Sequence, residues 1–191
     1  MTIAALKDVV RKEALERRAA LKPRVSELSR CVCDVFLAQI SVPLGASVSA
    51  YVAIGDEADP APLLHALRAQ GHVLALPRVA GRGQPLDFHR YDAGQALVPG
   101  GFGLSEPARD WPLVEPDILV VPLLAFDARG YRVGYGAGFY DRTLAKLRAA
   151  RNVLAVGFAF AAQEFETVPH DEKDQRLDWI VTEIGARKFE R

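Results

Sequence analysis

Ile118-Leu119-Val120-Val121 is the segment that most narrows what this chain can fold into. Four apolar residues in a row, three of them β-branched, show no alternation of wet and dry sides. They read as a short strand buried on both faces, which needs one layer above it and another below. Val153 to Phe158 has the same apolar character, and Ser47 to Ile54 is rich in β-formers. Helical patterns fall between these runs. Ile3 to about Leu21 is an amphipathic basic helix that Lys22-Pro23 breaks. Ser26 is a suitable N-cap for a second helix, in which Leu28, Val32, Val35, Phe36 and Ile40 recur at helical spacing. Asp59-Pro60 opens a third helix and Gly71 stops it, before another strand from Val73 to Pro77. Strand, helix and strand in that order make a βαβ unit with a right-handed crossover. Residues 80–116 read as irregular, with one strand at Leu86 to Tyr91. A helix from Asp141 to Ala150 and a short strand at Trp179 to Thr182 follow. The fold class expected is α/β: an open, mostly parallel sheet in three layers, with helices on both faces, formed by residues 1–191 as a single domain.

The apolar run leads into the chemically suggestive part of the chain. After Pro122 and Asp127 come Gly130, Arg132, Gly134, Gly136 and Gly138, then Tyr140-Asp141-Arg142, where a helical pattern starts. Glycines let backbone N–H groups converge on an anion, and a helix N-terminus adds partial positive charge. Spacing alone leaves two readings open, a phosphate-holding loop and a tight glycine turn with no ligand. Ligands of open α/β sheets bind at the carboxyl ends of strands, which is where this loop falls.

Composition sets bounds on the rest. Lys+Arg and Asp+Glu both number 24, so nothing in the net charge draws the chain to nucleic acid or an anionic membrane. No apolar run approaches the roughly 18 residues of a membrane-spanning helix. The N-terminus carries no signal-peptide core, which makes the cytoplasm the expected location. Cys31 and Cys33 point to different sides of one helix and have no second pair to complete a zinc site, so they read as plain thiols.

Several motifs, in order along the chain, resemble the 5-formyltetrahydrofolate cyclo-ligase family. They are Lys7-x-x-x-Arg11, Gly55-Asp56-Glu57 after a strand, Leu76-Pro77, Glu106-Pro107, the block from Val121 to Arg142, VGFAFAAQ, VPHDEKD and a final VTE. The resemblance implies a NagB/RpiA/CoA-transferase-like sheet. It also implies an ATP- and Mg2+-dependent ligase that closes 5-formyltetrahydrofolate into 5,10-methenyltetrahydrofolate, releasing ADP and phosphate through a phosphorylated formyl group. Carried over residue by residue, it makes Lys7, Arg11, Arg132 and the loop Gly134, Tyr135, Gly136, Ala137, Gly138, Phe139 and Tyr140 the nucleotide site. Val52, Glu57 and Tyr140 would hold the folate, Asp141 and Asp174 the magnesium, and Arg132 and Tyr140 would take part in the chemistry. The expected partner is that small-molecule substrate, acting on a monomer, with no nucleic acid and no membrane. Some relatives carry Arg or Lys where Tyr135 and Ala137 stand, and many have Tyr at the place of Phe139. Two other functions fit the same pattern less fully. A sugar-phosphate isomerase would leave the N-terminal basic helix unexplained. A non-catalytic ligand-sensing or RNA-associated module would not need Arg132, Asp141 and Glu57 intact.

Overall fold

The structure, a computed structural model, describes residues 1–92 and 94–190. Seven strands form the main sheet: β1 (Ser47–Ser49), β2 (Val73–Val79), β3 (Leu86–Arg90), β6 (Ile118–Val121), β9 (Leu154–Phe158), β10 (Trp179–Thr182) and β11 (Gly185–Lys188). Two small hairpins lie apart from it. One pairs β4 (Val98–Pro99) with β5 (Ser105–Glu106), and the other pairs β7 (Ala125–Phe126) with β8 (Arg132–Val133). The main sheet runs β11-β10-β9-β6-β1-β2-β3, parallel except at its two edge pairs, β10–β11 and β2–β3.

Helices cover both faces, for the reason visible in the run at β6. Ile118 and Val120 enter one core together with Leu28, Val32 and Phe36 of α2 (Val25–Gln39) and Leu63, Leu64 and Leu67 of α3 (Ala61–Ala69). Leu119 and Val121 enter the opposite core with Leu144 and Leu147 of α4 (Phe139–Ala150). Each fully buried side chain of this size contributes about 1.5–3 kcal/mol of transfer free energy, so truncating one central residue such as Phe36 to Ala would cost about 3–5 kcal/mol. A third, smaller core forms where Ala14 and Val10 of α1 (Ile3–Ala19) pack on Leu124, Ala125 and Val133. That contact docks the N-terminal helix on the β7–β8 hairpin and so beside the glycine loop.

Several local expectations change. Only Ser47–Ser49 of the expected first strand pairs in the sheet. Beyond it the chain peels away into a turn in which the Ile54 N–H donates to Glu57 Oε2 at 2.8 Å. Ser26 does not cap α2, because a 3-10 turn, Lys22–Arg24, runs straight into that helix. Pro60, not Asp59, stands at the N-cap of α3, and Asp59 sits one residue earlier, its Oδ1 accepting from the Ala61 N–H at 2.9 Å and fixing the turn into the helix. Strand β6 does not pass directly through the loop to α4, since the β7–β8 hairpin intervenes. Gly130 therefore belongs to the hairpin turn (φ 84°), where a Cβ would lie 2.8 Å from the Phe189 ring. It is a packing glycine.

Candidate functional site

The order of strands places a crevice before any side chain is considered. From β1 the chain crosses through α3 to β2 on one side, and later returns to β6 on the other. Connections that diverge from adjacent parallel strands leave a gap at their carboxyl ends. A cleft of ≈ 890 Å³ opens there, lined by residues after β1, by the glycine loop, by the β4–β5 segment and by α1. All of the residues singled out in the sequence lie on its wall: Lys7, Arg11, Val52, Glu57, Arg132, Gly134 to Asp141 and Asp174. A hollow of ≈ 930 Å³ at the opposite ends of the strands, beside Leu44, Asn152 and Glu190, collects none of them.

At one end of the cleft basic groups meet a bare loop. Lys7 and Arg11, one helical turn apart, reach over the loop from α1. The Arg11 Nε donates to the Gly134 carbonyl at 2.9 Å, and the Lys7 ammonium donates to Asp174 Oδ2 at 2.5 Å. The loop passes close under Arg11. At Gly136 (φ 100°) a Cβ would stand 3.3 Å from the guanidinium, so a side chain there would crowd it as well as strain the backbone. Gly138 (φ 65°) starts α4 without any side-chain cap, so the positive end of the helix dipole is turned to the loop. Two cations, a helix N-terminus and a glycine-rich main chain are together an arrangement that can hold an anion.

Arg132 is placed differently from a simple loop cation. It sits in strand β8, is 6% exposed, and donates from Nη2 to Asp141 Oδ1 at 2.8 Å and from Nη1 to the Gln175 carbonyl. It reaches the cleft wall from below and braces the loop that carries Asp174. Asp141 and Asp174 are each engaged through one oxygen only. Oδ1 of Asp141 takes Arg132 and the Gln175 N–H, while Oδ2 of Asp174 takes Lys7 and the Asp171 N–H. Among the described residues no donor reaches the second oxygen of either carboxylate, and no cluster of three or more His, Cys, Asp or Glu side chains assembles. One or two carboxylates with spare oxygens beside a phosphate site suit magnesium, which takes its other ligands from substrate and water.

The other end of the cleft combines apolar side chains with one buried acid. Val52 offers a partly exposed apolar surface next to Glu57, which is 4% exposed. Burial pushes the Glu57 carboxyl above its ordinary value, opposed by the Ile54 N–H, the Tyr135 hydroxyl and Arg18. Tyr140 stands between the two ends, and burial, reinforced by Glu57, raises its phenol well above the usual range. Tyr140 is therefore a neutral donor and not a base near neutral pH. The Tyr135 phenol is pushed up to about 12, by burial first and then by Glu57.

Three residues in or behind the wall had no role in the sequence reading. The Tyr51 hydroxyl donates to the Ala58 carbonyl at 2.5 Å and holds the turn that carries Glu57. Glu106, 2% exposed, accepts from the Val79 N–H at 3.1 Å and lies 3.5 Å from Arg78, tying the β4–β5 segment to β2. Arg18 donates to the Tyr135 hydroxyl at 2.7 Å from behind the wall. The Glu106-Pro107 pair was a visible signal for one of these. Nothing local marks the other two, whose partners come from folding.

Over nearly its whole length the chain is similar to proteins of one family. A model of the 5-formyltetrahydrofolate cyclo-ligase family matches residues 3–183. A 5-formyltetrahydrofolate cyclo-ligase of Mycolicibacterium smegmatis is 36% identical over 184 residues, which is 92% of this chain and 93% of the relative. One from Escherichia coli is 32% identical over 176 residues, covering 87% and 94%. Among solved structures, the 5,10-methenyltetrahydrofolate synthetase of Aquifex aeolicus superposes with a TM-score of 0.81 at 32% identity, covering 97% of this chain and 94% of that one.

Proposed function

The chain belongs to the 5-formyltetrahydrofolate cyclo-ligase family, and from that premise we propose that it converts 5-formyltetrahydrofolate to 5,10-methenyltetrahydrofolate with ATP and Mg2+, releasing ADP and phosphate. The observation that carries this reading is the division of one cleft into two chemically distinct ends, with Tyr140 between them. The basic, glycine-lined end suits a triphosphate. The buried acid Glu57 beside Val52 suits a pterin head, whose ring N–H and amino donors a carboxylate matches.

The chemistry needs both ends at once. A formamide oxygen is a poor leaving group, so it first takes the γ-phosphoryl group, breaking the bond between the γ-phosphorus and its bridging oxygen and releasing ADP. The folate N10 then attacks the activated carbon and loses its proton, and the oxygen departs as phosphate. Phosphoryl transfer depends on alignment and on neutralising charge more than on covalent help. Lys7, Arg11 and the loop amides between Gly134 and Gly138 hold the phosphates. Arg132 anchors Asp141 and the loop that carries Asp174, and it faces the same cavity. Asp141 and Asp174 would hold Mg2+, which neutralises phosphate charge when bound. Tyr140, kept as a phenol, donates a hydrogen bond near the reacting groups.

The direct test mixes purified protein with ATP, magnesium and 5-formyltetrahydrofolate and follows the absorbance of the methenyl product. Product and ADP should form together, and both should stop when magnesium is chelated. ADP release that is equally fast without the folate would sink the coupled reaction.

A further inference from the structure

Arg18 is buried to 5% exposure, yet one end of its guanidinium is poorly served. Nη2 donates to the Tyr135 hydroxyl, while Nη1 is buried with no hydrogen-bond partner among the described residues. The closest counter-charge is Glu57 Oε1 at 3.9 Å from Nη1, beyond hydrogen-bond length. The Tyr135 hydroxyl in turn bears on the Glu57 carboxyl, lowering its affinity for a proton. One guanidinium on α1 thus joins the glycine loop to the acid at the other end of the cleft, across 117 residues of sequence. A buried donor left unbonded is destabilising and calls for a reason. A purely structural arginine would be expected to satisfy both arms.

We propose that Arg18 is a positioning residue for the folate head: it holds the Tyr135 hydroxyl and the Glu57 carboxylate in one arrangement, so that Glu57 meets the ligand as an anion aimed into the cleft. The inference rests on the folate reading of Glu57. The unbonded Nη1 stays back because Glu57 Oε1 is kept for the ligand's donors, with Arg18 supplying charge at a distance. Had the ion pair closed to hydrogen-bond length, that oxygen would be engaged before substrate arrived. The titratable and charged groups bearing on Glu57 are Arg18 from α1, Tyr135 from the glycine loop, Tyr51 from the chain after β1, and Tyr140 from α4. The three phenols are all shifted upward and stay neutral near neutral pH, so Arg18 is the one cation in the set.

The sign of the effect follows. Glu57 already sits above its ordinary value, and Arg18 and Tyr135 both pull it down. Without either, the carboxyl protonates at a still higher pH, and a protonated acid presents one acceptor fewer to the folate. The experiment measures the KM for 5-formyltetrahydrofolate between pH 5 and 9 for wild type, Arg18→Met, Arg18→Lys, Tyr135→Phe and Glu57→Gln, with nucleotide affinity titrated separately. For Arg18→Met we expect a folate KM raised about tenfold at neutral pH. Its rise on acidification should begin at a higher pH than in wild type, with nucleotide affinity within about twofold. Arg18→Lys, which keeps the charge but one fewer arm, should recover part of this. Tyr135→Phe removes only a hydroxyl from a half-exposed ring and should shift the pH profile the same way, so the idea stays testable if Arg18→Met does not fold. A lower melting temperature with an unchanged folate pH profile in these variants would make Arg18 a structural residue and overturn the proposal. Should Glu57→Gln itself leave the folate KM unaltered, the placement of the folate is wrong, and the inference falls with it. Impairment in Glu57→Gln with normal Arg18 and Tyr135 variants defeats the inference alone.

Discussion

Arg132→Ala is expected to weaken the fold and the nucleotide site together, in amounts that can be measured apart. The guanidinium is almost fully buried and makes two bonds, one to the Asp141 carboxylate at 2.8 Å and one to the Gln175 carbonyl. Removing it leaves a carbonyl without its donor and a carboxylate with only the Gln175 N–H on Oδ1. Breaking a fully buried pair costs about 3–5 kcal/mol, but the Asp141 side chain is 26% exposed and water can replace part of what is lost. A loss of about 2–3 kcal/mol is the reasonable figure, being that of one charge-assisted bond plus a partly orphaned carbonyl. For a chain of this length that corresponds to a drop in Tm of about 4–12 °C. Asp141 and the loop after Val168 then lose their brace, so nucleotide affinity should fall by roughly one to two decades even in the folded fraction. Thermal and urea unfolding give the first quantity, and calorimetric titration with ATP and magnesium well below the Tm gives the second. An unchanged Tm would mean the buried bonds contribute nothing, and the account of Arg132 as a brace would be wrong. Unchanged nucleotide affinity with reduced Tm would confine Arg132 to the fold.

Lys7→Ala should reduce nucleotide affinity by about tenfold and also lower the Tm by a few degrees, since the largely buried Asp174 carboxylate loses its cation and keeps only the Asp171 N–H; wild-type titration would move the phosphate site away from α1. Gly136→Ala should cost about 1–3 kcal/mol in backbone strain at φ 100° and push on the Arg11 guanidinium. Circular dichroism should show it folded while its ATP titration is weakened, and undiminished affinity would show that the close approach of loop to helix has no bearing on nucleotide binding. The Cys33 thiol, pushed up to about 12 by burial, should resist a thiol reagent at pH 8 in the native protein. Cys31, half-buried, should react first, and two equally fast thiols under native conditions would contradict the burial of α2.

How much of this was legible before folding depended on whether the signal was local. The run at β6 announced layers on both faces because every one of its side chains is apolar, and the structure supplies α2 and α3 on one side and α4 on the other. Gly71 stops α3 in the left-handed region and Asp59 fixes the turn before it, as their conformational preferences require. Lys7 and Arg11 were readable as a pair because helical spacing alone puts them on one face.

The rest was settled by contacts between distant residues. Residues 51–54 have the composition of a strand, but the chain there turns away from the sheet, held by the Tyr51 and Glu57 hydrogen bonds, and borders the crevice. Arg132 looked like a free loop cation, since nothing near it in sequence says that Gln175, 43 residues on, will bury one of its arms. Lys7 meets Asp174 across 167 residues, and Arg18 meets Tyr135 across 117. The sequence by itself determined the four helices and the strands β2, β3, β6, β9 and β10, because backbone preference and the period of apolar residues act within a few positions. It missed the β4–β5 and β7–β8 hairpins and the edge strand β11, whose pairing partners are set by folding. Only the tertiary structure decided which charges face one another, because the packing of α1 on the β7–β8 hairpin brings them into a common cleft where burial and proximity set their ionisation and their hydrogen bonds.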